Sequence, residues 1–406
     1  MTLFVALLLH IYQPPTQTAA ILKKISKESY KPLIKMLQRN QAQKLTLNIN
    51  GSLTELLELY DEQEITNGII SLSKQKQIEL TGTSCYHAIL PLIPIEEITR
   101  QINLNDEIQK RILKDAFQPK GFWLPEMAYD IRVIEPISKS NYEWTVLSSV
   151  ASPDGELPNN YIPYLESGFI TYFRNDLLSN LISFRNPSVE EFIDELTKGI
   201  DYLNEDSYII LAMDGETYGH HVKGLIESFL EPFLKKILDN PNMMLVTISE
   251  LSKYFNERKI VFPVSSSWST TAEEIQRGVP FPLWLDPENE IHKLQHIIMN
   301  HAVFLVSIAK KHYNNGCHND NETNMRFVSS RSWLDKGLHS CQLWWASKKP
   351  WYSAEMILKG LNQLIIASSE ALKVILKYSN DNFEKEKAKN IFDEIFEAQK
   401  QLYLMV

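Results

Sequence analysis

The sequence predicts an α/β protein in which a parallel sheet, closed or nearly closed into a barrel, is followed by a helical domain. Three observations carry that reading. Short apolar runs alternate with segments of helical periodicity through the first two thirds of the chain. Such alternation needs crossover connections and therefore parallel pairing. From Pro263 the character changes to loop-like and proline-rich, as in Gly278-Val-Pro-Phe-Pro-Leu-Trp284, and only helical patterns follow. The boundary falls near residue 262, giving domains 1–262 and 263–406.

Leu3–Leu9 is an unbroken apolar run, as expected of a strand buried on both faces. A signal peptide competes for this segment. However, no Lys or Arg precedes it, and it leads into His10-Ile-Tyr-Gln13-Pro14 where a small-residue cleavage site would stand. Further strands are expected at Leu45–Asn48, Ile78–Leu80, Gly121–Leu124, Trp144–Leu147, Phe169–Phe173, Ile209–Met213 and Met244–Ile248. Between them, Lys31–Gln38, Glu96–Ala116, Val189–Tyr202 and Val222–Leu238 repeat apolar residues at helical spacing. Ser52-Leu-Thr-Glu55 reads as a capping box opening a helix after the second strand. Beyond Pro263 the helical patterns are Glu290–Tyr313, Met325–Ser347, Ala354–Tyr378 and Phe383–Tyr403.

At 406 residues there is room for one large and one smaller domain. A net charge of −9 argues against nucleic acid as a partner, since phosphate binding needs a basic face and no Lys/Arg cluster supplies one. No second apolar stretch is long enough to cross a membrane. Cys85, Cys317 and Cys341 form neither a disulfide framework nor a Cys-x-x-Cys pair, so a reduced, cytoplasmic protein is expected. No cofactor is called for.

The chemistry is concentrated in two acidic segments, Gly121-Phe-Trp123-Leu-Pro-Glu126 and Met213-Asp214-Gly-Glu216-Thr-Tyr-Gly219. Each reads as the carboxyl end of a buried strand running into a turn, with an acid at the tip and aromatics beside it. In a barrel such ends converge on one face. Two carboxyl groups meeting beside Trp and Tyr is what glycosidic bond cleavage requires, with about 5–5.5 Å between them in a retaining enzyme. A carboxylate at a strand end also serves as a helix cap or loop anchor, so either segment alone is weak. Asp214 and Glu216 put like charges close together, which raises carboxyl pKa values.

His10-Ile-Tyr-Gln13-Pro14, Gly82-Thr-Ser-Cys-Tyr-His87-Ala-Ile-Leu-Pro91, the two acidic segments and Trp333-Leu-Asp335-Lys-Gly-Leu-His339-Ser-Cys-Gln342-Leu-Trp344-Trp345 occur in a telling order. In that order they resemble the motifs of glycoside hydrolase family 57, whose members act on α-glucans and related α-linked sugars. The resemblance spans residues 1 to about 355. Tyr12 stands where the family usually has a second His. The resemblance implies an incomplete seven-stranded β/α barrel whose C-terminal helical bundle completes the active-site cleft. It makes Glu126 the nucleophile and Asp214 the general acid/base. It assigns His10, Gln13, His87, Glu216, His220 and Asp335 to substrate binding. Trp123 is the expected sugar-stacking aromatic, and Trp268 is a further substrate-binding candidate. The implied reaction is a retaining double displacement of the α-amylase type. Within the family, 4-α-glucanotransferase, branching enzyme and α-galactosidase are the alternatives.

Two rivals lie outside this class. His292-Lys-Leu-Gln-His296 has the i,i+4 spacing of a helical zinc site, as a metal-dependent deacetylase would use. No Asp stands near the first strand to support it, and a solvated helix face is expected there, so no metal is assigned. A non-catalytic glycan-binding relative would lack one of the two carboxylates, and this chain has both.

Overall fold

Alternation along parallel strands decides which side chains line the inside of this protein. The computed structural model describes residues 1–153, 155–198, 205–315, 320–349 and 351–406. Cys317 and the end of the expected helix Val189–Tyr202 fall outside them. The described chain divides into two units, Met1–Ala272 and Glu273–Val406.

In the first unit the strands are β1 (Leu3–Ile11), β2 (Leu45–Ile49), β3 (Ile78–Thr83), β4 (Gly121–Trp123), β5 (Trp144–Leu147), β6 (Ile162–Tyr164), β7 (Ile170–Phe173), β8 (Ser207–Asp214), β9 (Met243–Val246) and β10 (Arg258–Ile260). Their spatial order is β10-β6-β7-β5-β4-β3-β2-β1-β8, with β9 beside the first half of β1. The run β7-β5-β4-β3-β2-β1-β8 is parallel throughout, the expected curled, incomplete barrel. Its outer strands approach where the Asn175 N–H donates to the Ile210 carbonyl at 2.9 Å. Two strands went unforeseen. Residues 162–164 contain Pro163, and Arg258–Ile260 is exposed throughout with a single apolar residue, so neither carries an apolar run or an alternating signal.

The pleat sorts each strand into two faces. On β1, Leu3, Val5, Leu7, Leu9 and Ile11 pack outward against the helices, while Phe4, Ala6 and Leu8 pack inward with Trp123, Trp144, Tyr172 and Tyr208. His10 continues the inward column. On β8, Leu211 and Met213 face outward, whereas Tyr208, Ile210 and Ala212 face inward and Asp214 follows them. On β2, Leu45, Leu47 and Ile49 join the outer core. Thr46 and Asn48 therefore point inward, both fully buried. An inner face that is apolar low down and polar near the carboxyl ends is a site floor.

The helix after β2 spans Gly51–Leu59, and its cap is Asn50, whose side chain accepts from the Leu53 N–H at 3.1 Å. The capping box expected at Ser52 is therefore displaced by two residues, because Ser52 Oγ is occupied as a donor to the Gln13 carbonyl at 2.9 Å.

The second unit is helical, with Glu290–Asn314, Asn321–Gly337, Ala354–Tyr378 and Asn382–Tyr403 as its long members. His292 and His296 do not form a solvated face. They are 0% and 9% exposed, and each places Nε2 within 3.0 Å of a carbonyl, of Leu343 and Trp284 respectively. The helix face on which they lie packs inward, and i,i+4 spacing cannot reveal which face that is. Among the described residues no helix is long and apolar enough to cross a membrane.

The displaced cap sets a prediction. Asn50→Ala removes a side-chain acceptor from a helix N-terminus and should cost about 1–2 kcal/mol, lowering the urea midpoint. An unchanged midpoint would show that Asn50 does not cap this helix.

Candidate active site

Parallel pairing of β1 with β8 sets His10 directly beside Asp214. Pairing of β3 with β4 sets Thr83 beside Trp123, with the Thr83 hydroxyl donating to the Trp123 carbonyl at 2.8 Å. The strand ends therefore deliver His10, Trp123, Glu126, Asp214 and Glu216 to one end of the barrel.

Glu126 sits three residues past β4 in a left-handed conformation, φ 59° and ψ 19°, and Met127 follows at φ 49°. Each costs an ordinary residue roughly 1–2 kcal/mol, so the surrounding bonds must impose the turn. The Met127 N–H bonds to the Leu124 carbonyl at 2.8 Å, and the loop at residues 266–268 straps the outside. There the Trp268 N–H donates to the Glu126 carbonyl at 3.1 Å, and Tyr129 and Ser266 exchange backbone bonds. The same loop holds the side chain, since Trp268 Nε1–H donates to Glu126 Oε2 at 2.8 Å. His87, also left-handed at φ 59°, has Nδ1 3.9 Å from Glu126 Oε1. Strain gathered at these residues, with bonds that enforce it, is characteristic of functional turns.

The turn at 214–219 is buttressed by a π-helical turn at Ser26–Tyr30. Tyr30 donates its hydroxyl to Glu216 Oε1 in a short hydrogen bond. The same oxygen accepts from Gln13 Nε2 at 3.3 Å and the Tyr12 N–H at 3.2 Å. The Ser29 hydroxyl donates to the Gly215 carbonyl at 3.1 Å. Gly219 has φ 104°, and a Cβ there would meet the Glu28 carbonyl oxygen at 2.0 Å, so only glycine fits. His220 Nδ1 lies 2.6 Å from a Glu28 carboxylate oxygen, which lowers the Glu28 pKa. The buttress thus engages His220, and neighbouring His221 is exposed.

The rings form a ladder. Tyr12 stacks on His87 with centroids 4.0 Å apart, His87 on His10 at 4.9 Å, and His10 on Trp123 at 4.9 Å, all within 17° of parallel. Tyr12, standing at the usual second His, caps the ladder. Trp268 meets Trp123 edge-on at 5.5 Å.

Burial pushes all three carboxyls up: Asp214 to about 6, Glu216 to about 7 and Glu126 to about 8. The Asp214 charge adds to the rise of Glu126 and Glu216, while the Arg174 guanidinium restrains Asp214. Arg174 is 4% exposed, lies 5.4 Å over the Trp268 ring, and shares its cation with Asp176 at 3.4 Å. This order differs from a simple division into an ionised Glu126 and a protonated Asp214. Two coupled carboxyls titrate as a pair. Once Asp214 holds the proton, its push on Glu126 vanishes and Glu126 ionises more readily.

Asp335 lies in the second unit, 2% exposed, with Oδ1 accepting from Arg331 Nε at 3.1 Å and Nη2 at 2.8 Å. Asn48, Tyr30 and Arg174 escaped the sequence reading. Asn48 was detectable as a polar residue on the inward parity of Leu45-Thr-Leu-Asn48-Ile, but Tyr30 and Arg174 carry no local signal.

The sequence model of Glycosyl hydrolase family 57 matches residues 7–265. The alpha-amylase of Pyrococcus horikoshii is 25% identical over 281 residues, covering 65% of this chain and 43% of that protein. The 4-alpha-glucanotransferase of Thermococcus litoralis is 25% identical over 303 residues, covering 70% and 45%. The chain spans about half the length of these curated relatives, 43–45%. A GH57-type branching enzyme from Pyrococcus horikoshii shares the fold, with a TM-score of 0.74 at 14% identity over 98% of this chain and 96% of that one.

The raised pKa of Glu126 makes a stability prediction. A carboxyl raised in the folded state costs stability as pH climbs from its unfolded value to its folded one, here from 4.5 to about 8. Glu126→Gln cannot ionise and avoids that cost. Its stability advantage over the parent should be small at pH 4.5 and grow to on the order of 4 kcal/mol at pH 8. A pH-independent difference in melting temperature would contradict the assignment.

Proposed function

Because the chain belongs to glycosyl hydrolase family 57, we propose that it cleaves or transfers α-linked glucans by a retaining double displacement. The observation that carries this reading is the coupling of Glu126 to Asp214, two part-buried carboxyls at strand ends, in which the Asp214 charge raises the pKa of Glu126. In the first step, Glu126 attacks the anomeric carbon as the glycosidic C–O bond breaks, and Asp214 gives its proton to the departing oxygen. In the second, Asp214 takes a proton from an acceptor hydroxyl, which displaces Glu126 from the same carbon. Raised pKa values suit Asp214 to this alternation.

His10, Gln13, His87 and Glu216 bind the sugar in this reading, with Trp123 and Trp268 packing against its apolar face and His220 at the margin. The role of Asp335 rests on the family resemblance alone. Water as acceptor makes an α-amylase; a sugar hydroxyl makes a glucanotransferase or branching enzyme. The names of the relatives, an alpha-amylase and a 4-alpha-glucanotransferase, support a glucan over a galactoside. The spacing of Cys85, Cys317 and Cys341 matches no disulfide framework, which fits a reducing, cytoplasmic setting.

The test uses azide with an α-linked substrate bearing an activated leaving group. In Glu126→Ala a small anion replaces the nucleophile and leaves a glycosyl azide of inverted, β configuration. In Asp214→Ala the first step survives because an activated leaving group needs no acid. Azide then resolves the glycosyl-enzyme with net retention, as the α-azide. Without azide each variant should lose at least about a hundredfold in kcat. Swapped stereochemistry would exchange the two roles, and full turnover in either variant would remove that residue from the mechanism. Product analysis of the parent enzyme on maltoheptaose separates water from sugar as acceptor.

A further inference from the structure

Arg174 is a buried cation at the seam where the two outer strands of the barrel approach each other. Tyr172 faces the barrel interior, so Arg174, two residues on, continues the inward column of β7. Across the seam, Asp214 ends the inward column Tyr208, Ile210 and Ala212 of β8. Two bonds hold the seam: the Asn175 N–H donates to the Ile210 carbonyl at 2.9 Å, and the Ala212 N–H to the Ser179 hydroxyl at 3.1 Å. Asp214 thus has His10 on one flank and, on the other, the Arg174 charge that acts on it. The guanidinium is fixed, but its charge is not neutralised. Nη2 donates to Asn180 Oδ1 at 2.6 Å, and the group lies over the Trp268 ring at 5.4 Å. Its anion is Asp176, yet Asp176 Oδ1 stays 3.4 Å from Nη1. Asp176 Oδ2 is occupied by the Ser148 and Ser149 hydroxyls and the Ser149 N–H. Buried Nε has no hydrogen-bond partner among the described residues. A cation with one short neutral bond, one long ion contact and an idle donor keeps its field for its surroundings.

We propose that Arg174 is a positioning residue for the reaction: its fixed positive charge takes up the negative charge left on Asp214 as the proton of that carboxyl departs. This rests on Asp214 being the general acid/base. In the first step a Glu126 electron pair forms the bond to the anomeric carbon. The electrons of the breaking C–O bond pass to the leaving oxygen, which takes the Asp214 proton, and the new carboxylate faces Arg174. In the second step the acceptor oxygen bonds to the same carbon, its proton goes to Asp214, and Glu126 departs with its electron pair. Arg174 stabilises the anion and not the acid, so it makes Asp214 the stronger proton donor. Its effect is greatest where the leaving oxygen is basic. The other charged and titratable groups around this pair are Glu216 on the same turn, Tyr30 bonded to Glu216, His10 on β1, His87 near Glu126 and Asp176 beside Arg174.

The test compares maltoheptaose, whose departing sugar oxygen needs a proton, with a 4-nitrophenyl α-maltoside, whose phenolate leaves without one. In Arg174→Met, kcat/KM should fall on the order of a hundredfold for maltoheptaose and by no more than about threefold for the aryl substrate. The basic limb of the maltoheptaose profile reports loss of the Asp214 proton. Without its counter-charge Asp214 holds that proton more tightly, so the limb should move up by about 1 pH unit. Arg174→Lys restores the charge and should return the limb to the parental position. Asn180→Asp is the variant least able to disturb folding, because the site is half-buried and the shape is kept. It sets a carboxylate against Nη2, offsets the guanidinium charge, and should move the same limb upward. Equal losses on the two substrates with an unmoved limb would reduce Arg174 to a support of the fold and overturn the proposal. An unmoved limb in Asn180→Asp would overturn it too, and decides the matter should Arg174→Met not fold. Failure of Asp214 as the acid shows separately, in the azide products of Asp214→Ala.

Discussion

The in-register pairing of β1 with β8, from Leu3 beside Ser207 to His10 beside Asp214, is the constraint on which the rest of the site depends. Side chains alternate along a strand with a period of two, so a slip of one residue would turn His10 and Asp214 outward together. Apolar side chains on both faces of β1 make such a slip costly, because they are matched to a helical layer outside and an aromatic layer inside. The core therefore fixes the register of the candidate site well below the level of its carboxyls.

Above that register the site is governed by charge. Three carboxyls share a buried space in which Arg174 is the cation that acts on Asp214. They cannot all ionise cheaply, since each negative charge raises the cost of the next. A retained proton follows from the geometry, and a reaction that passes a proton between carboxyl and sugar oxygen needs one. Tyr30, Gln13 and the Tyr12 N–H concentrate three donors on one oxygen of Glu216, which stabilises charge there.

The aromatic ladder serves a different purpose. Four stacked rings fill the wall between β1 and β4 without flexible side chains, so His10 and His87 have few alternative rotamers. Tyr12 preserves the stack where the family usually has an imidazole. Ring area is retained and a titratable nitrogen is not.

By itself the sequence determined the parallel strand–helix alternation, the helical second unit, and the two acidic strand ends with their aromatic neighbours. These are local properties: runs of apolar residues, their period, and acids placed where such runs stop. Glu126 and Asp214 were legible because a strand end announces itself in the residues around it. Tertiary structure alone decided which partners those residues meet. The polar inner face of β2 and the hold of Tyr30 on Glu216 arise from pairings across 38 and 186 positions. The burial of His292 and His296 and the restraint of Asp214 by Arg174 are likewise decided by packing. Short strands such as Ile162–Tyr164 owe their existence to a neighbour's exposed edge, which no local pattern encodes. Periodicity says that a residue has an inside and an outside; only packing says what waits there.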